Sequence, residues 1–108
     1  MSIEFMSKDT IGERLRYIRE EKELPLRKVA GLLDVDVAIL SKMERGERKI
    51  SKEIVLKLAH IYDYNSNELL ISYLSDKILY EIKDEDLGME ALKVAEERAK
   101  YLMENNKK

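Results

Sequence analysis

The stretch LPLRKVAGLLDVDVAILSKMERG, Leu24 to Gly46, decides the fold. It reads as two short helices with a tight turn between them. Pro25 suits the start of the first, where a missing N–H costs nothing, and Val29, Ala30 and Leu33 give that helix one apolar face. Asp34-Val35-Asp36 follows as a turn. Asp36 is a good N-cap for the next helix, which runs through Leu40 and Met43 until Gly46 stops it. Two short helices of this kind, each with an apolar inner face, form a unit whose second helix can lie in the DNA major groove.

Upstream, Thr10 with Glu13 has capping-box spacing, and Ile11, Leu15 and Ile18 recur at helical intervals, so a helix is expected from Thr10 to near Lys22. Downstream, Ser51 with Glu53 opens a fourth helix whose positions Ile54, Val55, Leu58, Ala59 and Tyr62 face inward. Asn65 or Ser66 starts a fifth. It is long, because Leu70, Leu74, Ile78 and Ile82 keep a four-residue spacing as far as Lys83. After the acidic break Asp84-Glu85-Asp86, Leu92, Ala95, Ala99 and Leu102 form a narrow stripe on a sixth helix, closer to a partner-helix seam than to a broad core-facing surface. The β-branched residues fall in helical rather than alternating positions, so the fold class is all-α.

The whole chain has 108 residues, 44% of them apolar and 39% charged, which fits one small helical domain with an appendage and opposes intrinsic disorder. Without cysteine there is no thiolate metal site or disulfide, and the one histidine, His60, cannot build a multi-histidine centre. His60 reads as a surface or boundary residue of helix four. The six tyrosines, scattered at helical spacing, read as packing residues rather than a base-stacking platform. No nucleophile and base pair, glycine-rich phosphate loop or metal cluster is evident, so no enzyme, cofactor or small-molecule ligand is expected. The absence of a signal-peptide pattern and of a long apolar run points to a cytoplasmic protein without a membrane partner. The native start is Met1 or Met6. Net charge is −2, yet Val37 to Lys52 holds five bases against two acids while Asp84 to Lys108 holds seven acids against five bases. One short stretch is basic and the tail is acidic.

From Leu24 through Gly46 and Ser51 through Leu70, the sequence resembles the helix-turn-helix domain of the lambda-repressor and Cro class, also called the Xre family. The resemblance is carried by Leu24, Val29-Ala30, Val35, the run Leu40 to Gly46, Leu56 to Ala59 and Glu68 to Leu70. It implies a five-helix DNA-binding domain over residues 8–72, with an extended fifth helix, and a helical extension over 73–108. By that resemblance the helix 36–43 is the recognition helix, with Val37, Ala38, Ser41 and Lys42 facing base edges. Lys42 can donate to guanine, Ser41 to base or phosphate, and Val37 or Ala38 can touch a thymine methyl or simply pack locally. Such small side chains offer no bidentate readout, which leaves part of any specificity to DNA shape. Arg45, Arg48, Lys49 and Lys52, with Arg27 and Lys28 beside the start of helix two, match positions that meet phosphate. Leu26 departs from the pattern where a DNA-clamping glutamine is usual, as do Asp34 and Asp63 where turn glycines are usual. Arg19 and Glu44 match a structural ion pair.

A single domain of this size reads few base pairs, so a homodimer on a palindromic operator is expected. The seam offered is Leu70, Leu74, Ile78 and Ile82 with Leu92, Ala95, Ala99 and Leu102, unless helix six caps its own domain instead. The resemblance implies a transcriptional regulator of double-stranded DNA that blocks or recruits RNA polymerase, similar to the controller proteins of restriction-modification genes. An antitoxin-like autoregulator, and a protein-binding adaptor that keeps the fold without DNA binding, stay open as alternatives.

Overall fold

The computed structural model describes residues 9–105; the alternative starts Met1 and Met6 lie outside the described residues. Six helices follow one another with no strand among the described residues: α1 (Ile11–Glu21), α2 (Leu26–Leu33), α3 (Val37–Glu44), α4 (Lys52–Ile61), α5 (Ser66–Ile82) and α6 (Gly88–Asn105). The helices start and stop for local reasons. At α1 the Thr10 hydroxyl accepts from the Glu13 N–H and the Glu13 carboxylate accepts from the Thr10 N–H, a complete capping box. Ser51 caps α4 by accepting from the Ile54 N–H, and Asn65 caps α5 by accepting from the Glu68 N–H. Asp36 occupies the N-cap position of α3, but its carboxylate caps no amide; the local sequence places the residue without fixing its rotamer.

Four helices end in the same way. After α3, the Gly46 N–H donates to Met43 O and the Glu47 N–H to Lys42 O, with Gly46 at φ 76°. This is a Schellman closure, which needs one left-handed residue. Glu23, Asp34 and Asp63 hold the equivalent positions after α1, α2 and α4, at φ 54°, 58° and 49°. These three are strained where glycine would not be.

The contacts divide the chain between Asp76 and Lys77, within α5, into two units. The first has one core, in which Leu15, Val29, Leu40, Val55, Leu58, Tyr62 and Leu69 are fully buried. Asp76 ends this unit chemically as well, for its carboxylate accepts from the Ile11 N–H at 2.8 Å and so satisfies an amide at the start of α1. In the second unit Gly88 lies so close to Ile82 that an added Cβ would sit 2.6 Å from the Ile82 carbonyl oxygen. That glycine lets α6 begin beside the end of α5. No helix among the described residues is long and apolar enough to cross a membrane.

Candidate nucleic-acid interface

Helix α3 is held by its inner face and its C-terminal end. Leu40, Met43 and Glu44 are buried, and α3 packs against both α1 and α2. The turn from α2 is set by Asp34 in the left-handed region, with the Asp34 N–H donating to Gly31 O and the Val35 N–H to Ala30 O. At the far end, α1 approaches very closely. A Cβ on Gly12 would meet the carbonyl oxygens of Met43 at 2.5 Å and Glu44 at 2.7 Å, so only glycine fits the observed spacing. Beside it, Arg19 Nε donates to Glu44 Oε2 at 2.8 Å, Arg19 Nη2 to Glu44 Oε1 at 3.1 Å, and Arg19 Nη1 to the Leu24 carbonyl at 2.9 Å. One guanidinium thus ties α1, the α1–α2 turn and the end of α3 together. The pair is largely out of water, with side-chain exposures of 12% and 5%, and the hydrogen bonding to Glu44 raises the Arg19 pKa above its ordinary value.

The opposite face of α3 is open. Val37, Ala38 and Lys42 are exposed and Ser41 is half-buried, at spacings that place them with Arg45 on one side of the helix. Arg45 is engaged: Nη1 donates to Ser41 Oγ at 2.9 Å, and Nε and Nη2 donate to the two Glu47 carboxylate oxygens at 2.9 and 3.3 Å. Glu47 therefore occupies the guanidinium fork of Arg45. Both side chains are about half exposed, where such a pair typically contributes about 0–1 kcal/mol, so it restrains Arg45 weakly.

Arg27, Lys28, Arg48, Lys49 and Lys52 are exposed. Among the described residues Arg27, Lys28, Lys42, Arg48 and Lys52 have no ion-pair partner, while Lys49 is engaged in an interaction. No side chain caps the start of α2; the Lys28 N–H donates to the Pro25 carbonyl, and the Leu26 and Arg27 amides before it are open to an acceptor. His60 is exposed on α4, away from the core face that carries Val55, Leu58 and Ala59.

Several structural residues escaped the sequence reading. Arg14 is 4% exposed, and its Nη2 donates to the Tyr64 hydroxyl at 2.8 Å while Nη1 lies 4.0 Å from Asp9 Oδ2. Burial lowers its pKa against the raising effect of Asp9, Glu68 and Tyr17. Its position between Ile11, Leu15 and Ile18 was a readable signal of an inward-facing charge. Gly12, Asp76 and Gly88 carried no comparable local mark. On α5, Leu70 packs against the first unit's core, whereas Ile71, absent from the seam read in the sequence, is exposed with Leu74 and Ile78. On α6, Ala95, Ala99 and Leu102 are exposed, and Leu92 and the α5 residue Ile82 are half-buried.

Residues 15–69 match the family model described as helix-turn-helix. Over 58 residues, 54% of this chain, the sequence is 40% identical to the HTH-type transcriptional regulator DdrOP3 of Deinococcus deserti, of which it covers 45%. Over 52 residues, 48% of this chain, it is 33% identical to a protein of Pyrococcus horikoshii named as an HTH-type transcriptional regulatory protein, of which it covers 16%. The chain thus spans less than half the length of these relatives. The matched residues run from α1 into α5 and contain the braced α3 with its open face. The chain belongs to the helix-turn-helix family, in its Xre and lambda-repressor-like class.

Proposed function

We propose that the protein is a sequence-specific, DNA-binding transcriptional regulator rather than an enzyme, with α3 as the helix that enters the major groove. The observation that carries this reading is the two-sidedness of α3. One side is fixed by Gly12, Leu40 and the Arg19–Glu44 pair, while the other presents Val37, Ala38, Ser41 and Lys42 with cations before and after it. In this reading those four residues meet base edges, and Arg27, Lys28, Arg45, Arg48, Lys49 and Lys52 meet phosphate. The first five helices constitute the DNA-binding domain, and α6 is added to it.

The regulator acts as a homodimer on a palindromic operator with half-sites about 34 Å apart. The exposed apolar residues Leu74, Ile78 and Leu102 support a second copy as the partner of α5 and α6. Occupancy of the operator then blocks or recruits RNA polymerase, and protein concentration is the control variable, as in the restriction-modification controllers that the sequence resembles.

The test is fluorescence anisotropy on DNA selected from a random pool, followed across salt and against random competitor, with light scattering on the same samples. Competitor-resistant, salt-sensitive binding by a dimer is expected, and a folded Lys42→Ala, Arg45→Ala double variant should lose it. A selection that enriches no sequence would overturn the DNA-binding reading, and a monomer at micromolar concentration would overturn the homodimer.

A further inference from the structure

A serine hydroxyl carries one hydrogen and two lone pairs, so in a DNA groove it can donate or accept, and by itself it distinguishes bases poorly. Ser41 on the open face of α3 is more constrained than that. Arg45, one turn later, donates from Nη1 to Ser41 Oγ at 2.9 Å. A guanidinium has no acceptor, so the Ser41 proton must point away from it. In a helix the ready taker is the carbonyl four residues back, as when Ser75 donates to Ile71 O at 2.8 Å. Ser41 makes no such bond among the described residues. Its proton is left for an acceptor outside the chain, and accepting from a cation makes the hydroxyl a stronger donor.

Two further bonds keep Arg45 in this pose, from Nε and Nη2 to the Glu47 carboxylate at 2.9 and 3.3 Å. The backbone in turn places Glu47. With Gly46 at φ 76° the chain turns back, and the Glu47 N–H donates to Lys42 O at 2.8 Å. The exposed ion pair adds little stability, yet it need only hold the direction of one hydroxyl. These bonds use three of the five guanidinium N–H donors. The other two are left for a phosphate, so Arg45 can serve both.

We propose that the Glu47–Arg45–Ser41 chain of hydrogen bonds makes Ser41 a dedicated donor, so that the base opposite it presents a major-groove acceptor and cytosine is refused there. This deepens the DNA-binding reading given above and rests on it. Guanine offers N7 and O6, adenine N7 and thymine O4. Cytosine would turn its N4 amino group toward the Ser41 proton, donor against donor. Arg45 and Glu47 are then positioning residues for sequence readout, acting through Ser41, and Glu47 sharpens specificity even though its charge opposes affinity.

The test takes the DNA site enriched from a random pool and measures anisotropy with every base pair in turn at each position, for the full-length wild type, Ser41→Ala and Glu47→Ala. Wild type is expected to lose about fivefold, the value of one hydrogen bond, when cytosine enters one particular position. Ser41→Ala loses that preference and keeps those at the other positions. Glu47→Ala weakens the same preference by about twofold while binding all sequences more tightly at low salt. Removal of a charge alone would raise binding to every sequence alike. In the free protein, the Arg45 Nε–H resonance should move in both variants. A Glu47→Ala profile parallel to wild type at every position overturns the proposal, as does an Arg45 resonance that Glu47→Ala leaves in place. A Ser41→Ala protein weakened equally on all sequences also overturns it, and puts Ser41 on phosphate. Each of these results leaves the DNA-binding reading intact, because an enriched site is already in hand. A pool that enriches no sequence overturns both.

Discussion

Replacing Gly12 by alanine sets two effects of opposite sign against each other. Helix propensity alone predicts a gain of about 1 kcal/mol for glycine to alanine within a helix. The added Cβ, however, would lie 2.5 Å from the Met43 oxygen and 2.7 Å from the Glu44 oxygen, where ordinary contact begins at 3.4 Å. Helix α1 must then retreat from the end of α3 by about 0.9 Å, the difference between 3.4 and 2.5. Both obstacles are backbone carbonyls, which cannot rotate aside, so the cost belongs near the upper end of the roughly 1–3 kcal/mol typical of overpacking. The retreat also stretches the 2.8 Å Arg19–Glu44 bond. The net expectation is a loss of about 2 kcal/mol, read as a fall of about 1 M in the urea midpoint by circular dichroism. Gly31→Ala is the control. Gly31 lies in α2 with nothing near its Cβ position, so propensity acts alone and the midpoint should rise. A Gly12→Ala midpoint equal to or above wild type would refute the close approach of α1 to α3.

Other outcomes follow from single contacts. Glu47→Gln removes a negative charge from the proposed DNA face and releases the Arg45 fork, so binding at low salt should tighten by about threefold to tenfold in anisotropy with unchanged melting. Glu23→Gly relieves a left-handed residue that has no hydrogen bond or ion pair of its side chain among the described residues, and should raise stability by about 0.5–1 kcal/mol in denaturant titration. The buried Tyr62 hydroxyl has no hydrogen-bond partner among the described residues, so Tyr62→Phe should be neutral or stabilising by about 1 kcal/mol, and a loss of 2 kcal/mol would show a missed partner. Burial raises the Asp76 pKa, against the lowering effect of the Ile11 N–H, and Glu13 raises it further. With the folded pKa above the unfolded one, its contribution to stability is full below the unfolded value and is lost as pH rises through the folded value. Asp76→Asn should therefore gain on wild type in urea midpoint as pH rises from 4 to 7, and a difference that is flat with pH contradicts the assignment.

The readable parts of the fold are those written in neighbouring residues. The Thr10/Glu13 box, the caps at Ser51 and Asn65 and the Gly46 stop each need only a few residues of sequence, and each stands where that chemistry places it. What joins the helices was less legible. The Ile11–Asp76 hydrogen bond spans 65 positions and that of Arg14 to Tyr64 spans 50, and no periodicity announces either. Leu70 shows a different failure. A four-residue spacing drifts around a helix of 3.6 residues per turn, so the run Leu70, Leu74, Ile78 starts on the core side and moves outward. Leu70 accordingly packs inward, and Ile71 completes the exposed stripe. The face of α3 was legible for a complementary reason. The resemblance to the lambda-repressor class names Val37, Ala38, Ser41 and Lys42, and these are exposed or half-buried while Leu40 and Met43 are buried.

The brace and the face of α3 also determine how loss of DNA binding must be interpreted. Breaking a buried ion pair by deleting one partner typically costs about 3–5 kcal/mol, and Arg19 also holds the Leu24 carbonyl. An Arg19→Ala protein that binds no DNA has therefore lost the placement of α3, and the result says nothing about contact. Salt dependence separates the two cases. A residue that meets phosphate displaces counterions, so its removal flattens the slope of log affinity against log salt by about one unit. A residue that only positions α3 lowers the competent fraction and leaves that slope where it was. In the proposed interface Lys52 and Arg48, exposed and without ion-pair partners among the described residues, belong to the first kind. Arg19, Glu44 and Gly12 belong to the second, because they hold the inner side and the end of α3.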